Sequence, residues 1–281
     1  MNHIIQKNLS KGLTGFQIKI IALVLMVLDH IHYFFGFTGK IPTLFSQLGR
    51  LSAGLFLFMV VEGFIHTSNR KRYFLRLYTV AILMGLVQYA MITFNLTRPD
   101  GFFPQNQIFS NFVILLPILQ GIEWIKNKRF LLGTTFIVLP LLWPFIGSAL
   151  MSAVPATTPL INLLHFSVLP MHIAIMDGGT FYILNGILLY LLHKNKYLQA
   201  GVYFIFNLIV YVGLSVLFIP DITVASLFTQ YYEWICSFSA IFMLLYNGKR
   251  GRSMKKLFYV FYPAHVYLLF GLSCLLYFFI K

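Results

Sequence analysis

Three ionisable side chains stand close together inside the first long apolar run: Asp29, His30 and His32, about ten to thirteen residues beyond Lys19. At about 1.5 Å rise per residue they fall near the middle of a membrane-spanning helix whose inner end is marked by Lys19. A charged group at that depth costs roughly 2.5 to 3.5 kcal/mol on insertion scales, so it needs a partner or a wet cavity. Imidazole titrates near neutral pH, which suits a buried histidine to proton transfer. Lys19 and His30 are separated by about three helical turns with only about 20° of drift, so both side chains point to one face. Asp29 lies about 100° round from His30, where its expected neighbours are His32 and Tyr33 one turn on. Arg50 stands near the outer end of the second apolar run and Glu62 towards its inner end. In the last run His265 follows Lys255 and Lys256 by about nine residues, again near mid-depth. These groups are either a reaction or transport centre or a polar network that specifies helix packing.

Two short basic loops are rich in donors able to hold phosphate. One is His66, Thr67, Ser68, Asn69, Arg70, Lys71 and Arg72; the other is Asn247, Gly248, Lys249, Arg250 and Gly251, where Asn and Gly also suit the end of a helix. The alternative for both is that positive charge only orients the chain in the membrane. Pro263, just before His265, is expected to bend the last helix and present that histidine to a cavity or to a packing contact.

The elements that must carry these residues are transmembrane helices. Hydrophobic residues make up 59% of the 281-residue chain and charged residues 10%, which excludes a soluble globular class. About nine spans are expected, within a range of eight to ten, near 17–38, 46–66, 73–96, 108–125, 130–151, 179–193, 199–219, 227–246 and 256–280. They form a single all-α domain over 1–281, because no stretch between them is long enough to fold alone. The first run has no small-residue cleavage pattern, and Asp29, His30 and His32 interrupt it; it is a retained span rather than a signal.

Charge sets the expected orientation. With the amino terminus in the cytoplasm, Lys7, Lys11, Lys19, Arg70, Lys71, Arg72, Arg76, Lys126, Lys128, Arg129, Lys194, Lys196, Lys249, Arg250, Arg252, Lys255 and Lys256 all fall inside. Only Lys40, Arg50, Arg98 and Lys281 remain of the 21 basic residues. The net charge of +14 therefore points to anionic lipid headgroups and not to nucleic acid. The apolar stretch 152–178 holds Pro155, Pro159, Pro170, His165, His172 and Asp177. A tenth span there inverts the charge pattern downstream, whereas a re-entrant or outer-surface segment preserves it. Cys236 and Cys274 lie in apolar runs without metal or redox spacing and are expected to be packing residues, and no metal site is expected.

The blocks 19–30 (KIIALVLMVLDH), 48–55 (LGRLSAGL), 62–77 (EGFIHTSNRKRYFLRL), 246–251 (YNGKRG) and 258–265 (FYVFYPAH) resemble the TraX family, from the first span to the last. That family is associated with acetylation of the amino terminus of conjugative pilin. It is similar in turn to the transmembrane acyltransferases of the acyltransferase-3 group, whose first span carries a basic residue, ten others and a histidine. Lys19 and His30 match that spacing, with Lys where Arg is usual; the charge is kept and the bidentate fork is lost.

The resemblance implies a membrane acyltransferase, most simply an acetyltransferase, in the inner membrane of a bacterium. An acyl group would pass from cytoplasmic acetyl-CoA or another acyl-CoA to a surface polysaccharide or a pilin-like protein. The donor head would dock near Lys19, His66, Arg70, Lys71, Arg72, Asn247, Lys249 and Arg250. His30 would take a proton from the attacking acceptor or carry the acyl group transiently, with Asp29, Arg50, Glu62 or His265 orienting it or stabilising the oxyanion. A proton-linked permease using Asp29, His30, Glu62 and His265, and a non-catalytic envelope assembly factor, are the competing classes.

Overall fold

The computed structural model describes residues 12–253 and 255–280. Lys7, Lys11 and Lys281 of the charge pattern lie outside the described residues, as do the side chains of Lys255 and Lys256. Among the described residues the regular structure is all helical, without a strand; one isolated bridge pairs Leu13 with Tyr246.

In chain order the helices are α1 (Gly15–Phe35), α2 (Leu44–His66), α3 (Arg70–Thr93), α4 (Ile108–Lys126), α5 (Phe130–Ala153), α6 (Thr158–Phe166), α7 (Gly179–Leu191), α8 (Lys196–Leu208), α9 (Leu214–Phe218), α10 (Val224–Thr229), α11 (Ser239–Leu245) and α12 (Lys255–Ile280). Among the described residues seven stretches are long and apolar enough to cross a membrane: Gly15–Thr38, Leu44–His66, Arg70–Thr93, Ile108–Lys126, Phe130–Ala153, Lys196–Phe218 and Phe258–Ile280. The protein is a multi-pass membrane protein. Two shorter apolar helices, Gly179–Leu191 and Tyr232–Leu245, stand where the sequence predicts two further spans.

The chain divides into two compact units, one of the described residues up to Gly63 with Leu188–Phe261, the other of Phe64–Ile187 with the chain from Tyr262 onward. Each has one helix at its centre. In α2 and α4, 56% and 67% of the apolar stretch is buried, against 17–28% in the other five, whose outer faces are left for lipid. Accordingly α4 is apolar on nearly every side, from Ile108 and Phe109 to Ile118 and Leu119. Helix α1 instead buries one stripe, Ile18, Ala22, Met26, His30 and Phe34, at the three-to-four-residue spacing of a single face.

Local chemistry explains the boundaries. Thr14 and Gln17 form a reciprocal cap that starts α1 two residues before the predicted start. Helix α12 carries through Pro263. The predicted helix 227–246 is broken: α10 is followed by a tight three-residue-per-turn stretch, Tyr232–Phe238, and then α11. Side chains compete for the backbone there, with Ser237 Oγ donating to the Trp234 carbonyl and Trp234 Nε1 to the Leu227 carbonyl. Between α8 and α9 a wide turn at Ile209–Gly213 keeps the path helical.

Candidate functional site

His30 lies on the buried stripe of α1, 5% exposed, with its ring against Tyr33 and Phe34 at 6.3 and 6.0 Å between centroids. Because α1 is continuous from Gly15, the shared face of Lys19 and His30 is preserved. Counted from Gly15, His30 stands about 22 Å along a helix about 31 Å long, past the midpoint and towards the turn into α2.

Asp29 faces α2 and not along its own helix. Its Oδ1 accepts from Ser46 Oγ at 2.7 Å and from Arg50 Nη2 at 3.3 Å, and Arg50 Nη2 also donates to Ser46 Oγ at 2.8 Å. The expected reach to His32 or Tyr33 is replaced by this pairing because 100° of rotation turns Asp29 to the neighbouring helix. There Ser46 and Arg50, four residues apart, share a face. The helices can meet so closely because residue 49 is glycine: a Cβ there would lie 2.2 Å from Asp29 Cβ. Arg50 also lies over the Tyr232 ring at 5.5 Å, and its place in the second turn of α2 agrees with the predicted position near one end of the span. Ser46, 3% exposed, was not a candidate from sequence; its signal is the Ser-x-x-x-Arg spacing opposite Asp29.

Further along α2, Glu62 accepts from the Tyr246 hydroxyl. The loop after Tyr246 is fastened to the start of α1 by its backbone. Asn247 Nδ2 donates to the Gly12 carbonyl and its N–H to the Leu13 carbonyl, while the carbonyls of Lys249 and Arg250 accept from Gly15 and Phe16 N–H at 2.8 and 2.9 Å. Those amides are leading donors of α1, which a helix leaves without internal partners. Asn247 also accepts from Lys249 N–H at 2.9 Å. The side chains of Lys249 and Arg250 are exposed, with Arg250 Nη2 donating to Ser253 Oγ. In the same unit Cys236 is buried and donates to Asn207 Oδ1, a hydrogen-bonded packing residue.

The other basic loop belongs to the second unit and uses its side chains differently. Asn69 accepts from Arg72 N–H and caps α3. Arg70 places Nη1 and Nη2 each 3.3 Å from Glu123 Oε2 and lies 4.4 Å above the Phe64 ring. Lys126 Nζ reaches Glu123 Oε1 at 3.2 Å. Glu123 was not singled out from sequence, although it is an acid beside the cluster Lys126, Lys128 and Arg129. His66, Lys71 and Arg72 are exposed. His265, buried in α12, packs edge-on against Tyr262 at 5.5 Å, and Tyr262 against Phe109 at 5.1 Å.

The segment 152–178 forms a short tight turn at Pro155–Thr157, then α6, then twelve residues without regular structure. Buried side chains tie it down. His165 Nδ1 accepts from Met171 N–H at 2.9 Å, and burial pushes this imidazole down to about 4. Asn111, 0% exposed, donates to the Asp177 carbonyl at 2.7 Å and accepts from Gly179 N–H at 2.9 Å. Gly178 and Gly179, with φ of 117° and 69°, turn the chain into α7. Between α3 and α4, Arg98 is 4% exposed and bonds both oxygens of Asp100, at 2.9 and 2.8 Å; that hydrogen bonding holds the Asp100 carboxyl below the usual range. Among the described residues no three His, Cys, Asp or Glu side chains gather as a metal site.

The chain matches the TraX protein family over residues 14–273, so the match includes every candidate residue named above. It is also 26% identical, over 264 residues covering 91% of this chain and 94% of the relative, to "Probable fimbrial assembly protein FimC, serogroup H1" of Dichelobacter nodosus. No solved structure matches it.

Proposed function

This chain belongs to the TraX family, and from that premise we propose that it is a membrane-embedded acyltransferase, using acetyl-CoA or another acyl-CoA as donor. The observation that carries the proposal is His30: a buried imidazole on the core stripe of α1, on one face with Lys19 and next in sequence to a carboxylate already engaged by Ser46 and Arg50. That engagement leaves Asp29 as an electrostatic and positioning group, and the proton to be moved falls to His30. His30 takes the proton of an acceptor hydroxyl or amine as that group attacks the thioester, and returns it to the leaving thiolate. Lys19, Lys249 and Arg250 supply positive charge for the phosphates of the donor. The pairing of Lys19 with His30 rests on their shared face of α1.

The topology proposed with it has nine spans, counting the two shorter apolar helices, and a cytoplasmic amino terminus in the inner membrane of a bacterium. Anionic headgroups then lie against the basic loops. The acceptor is an envelope polymer or a pilin-like protein; the fimbrial assembly protein among the relatives favours the second. The same relative favours, as a second reading, a non-catalytic assembly factor.

The experiment that separates the two uses purified protein in lipid nanodiscs with radiolabelled acetyl-CoA and an envelope fraction as acceptor. His30→Ala is expected to lower transfer by a factor of about 10² or more with normal insertion. His32→Ala, about 200° round the helix from His30, is expected to matter less. Full transfer by a correctly inserted His30→Ala variant ends the assignment of the base, and loss in His265→Ala alone moves it to α12. No transfer by the wild-type chain to any envelope acceptor leaves the assembly factor.

A further inference from the structure

A hydroxyl–imidazole pair stands in the α4 unit, where the clamped segment enters α7. Thr180 Oγ1 lies 2.7 Å from His172 Nδ1, and His172 Nε2 lies 3.2 Å from the Leu141 carbonyl oxygen. A carbonyl can only accept, so Nε2 carries the proton; in the neutral ring Nδ1 is then an acceptor, and the Thr180 hydroxyl must donate to it. This is the order of bonds that activates a hydroxyl: nucleophile to base, base to an orienting carbonyl. The pair is held in place from both sides. His172 is 5% exposed and edge-on to Phe145, while the fully buried Asn111 grips both Asp177 and Gly179 across the two left-handed glycines. Thr180 therefore emerges from a tight turn into the first turn of a helix, half-buried, whereas His172 is buried.

We propose that Thr180 and His172 form a nucleophile–base pair that takes an acyl group from an activated ester or thioester. Thr180 Oγ1 bonds to the acyl carbon as its proton passes to His172 Nδ1. The donor's C–O or C–S bond then breaks, and the imidazolium returns the proton to the leaving oxygen or sulfur, giving an O-acyl threonine and a free alcohol or thiol. The amides that follow Gly179 in the first turn of α7, without acceptors inside the helix, are suited to the transient oxyanion; that of Gly179 itself is taken by Asn111. The pair stands apart from the role given to His30 and does not need acyl-CoA to be the donor.

The test is acid-quenched peptide mapping of the full chain in nanodiscs after brief exposure to p-nitrophenyl acetate. One acetyl group is expected on Thr180, on the serine of Thr180→Ser, and on nothing at that position in Thr180→Val. His172→Phe is expected to slow labelling by a factor of about 10². An unlabelled position 180 in both wild type and Thr180→Ser overturns the pair, as does a His172→Phe variant that labels at the wild-type rate. His30→Ala is expected to label normally, which keeps this result separate from the acyl-CoA assay; loss of labelling in folded His30→Ala protein assigns the chemistry to His30 and overturns the pair.

Discussion

In the α1 unit the polar groups set among apolar helices include a carboxylate and a guanidinium, Asp29 and Arg50, held by two regular helices with Ser46 between them. Around α7 in the other unit they are an amide and two imidazoles, Asn111, His165 and His172; the first two are satisfied by the backbone of an irregular segment, and His172 by the Leu141 carbonyl of α5 and Thr180. The contrast follows from what each kind of group needs. A charge in a poorly solvated place needs a countercharge at a set distance, which two rigid helices packed at a glycine supply. A neutral donor or acceptor can be matched by any suitably turned N–H or carbonyl, which a non-helical stretch offers in quantity.

The sharpest way to break this comparison is to remove one charge. Arg50→Met leaves Asp29 without its countercharge and is expected to destabilise the protein by about 3 kcal/mol, the low end for buried pairs because both side chains are partly exposed. Denaturant titration in detergent micelles measures it. The double variant with Asp29→Asn is expected to recover most of the loss, and equal losses in the single and double variants would show that the pair is not coupled.

A smaller effect is expected when one neutral clamp is removed. Asn111→Ala frees the Asp177 carbonyl and the Gly179 amide, at a cost of about 1 to 3 kcal/mol. Hydrogen exchange should then rise at 172–180 before it rises in α1, whereas uniform acceleration along the chain would contradict a local clamp.

The mildest distinction is in acid. His165 binds its proton less readily folded than unfolded, so its contribution is whole above about pH 6.5 and fades as the pH falls towards about 4. Asp100, held below its usual value first of all by the Arg98 side-chain hydrogen bond, keeps its contribution down to lower pH and loses it as the pH falls through that depressed value. Both belong to the α4 unit. Thermal unfolding between about pH 7 and about pH 5 should therefore show a falling midpoint that His165→Phe flattens. A midpoint that does not fall, or one that falls equally in the variant, removes His165 as the cause.

Relations within one helix were legible in the residues themselves. Lys19 and His30 share a face wherever α1 begins, because helical periodicity fixes their angle. The first residue of α1 was not legible, because it is set by a cap at Thr14 that hydropathy does not detect. The place of α7 was legible from Gly178 and Gly179, whose backbone freedom marks a turn. The break within 227–246 was hidden, since an apolar composition suits a straight helix and a broken one alike.

Length, apolar runs and charge thus determined that the chain is an all-helical, multi-pass membrane protein, since water cannot satisfy such a surface and lipid can. Only the tertiary structure decided the partners. Asp29 takes Ser46 and Arg50 from the next helix, Arg70 takes Glu123 from 53 residues away, and His172 takes Thr180 across a glycine turn. The reason is geometric: periodicity says which way a side chain points along its own helix, but what it meets depends on which other helix is packed there.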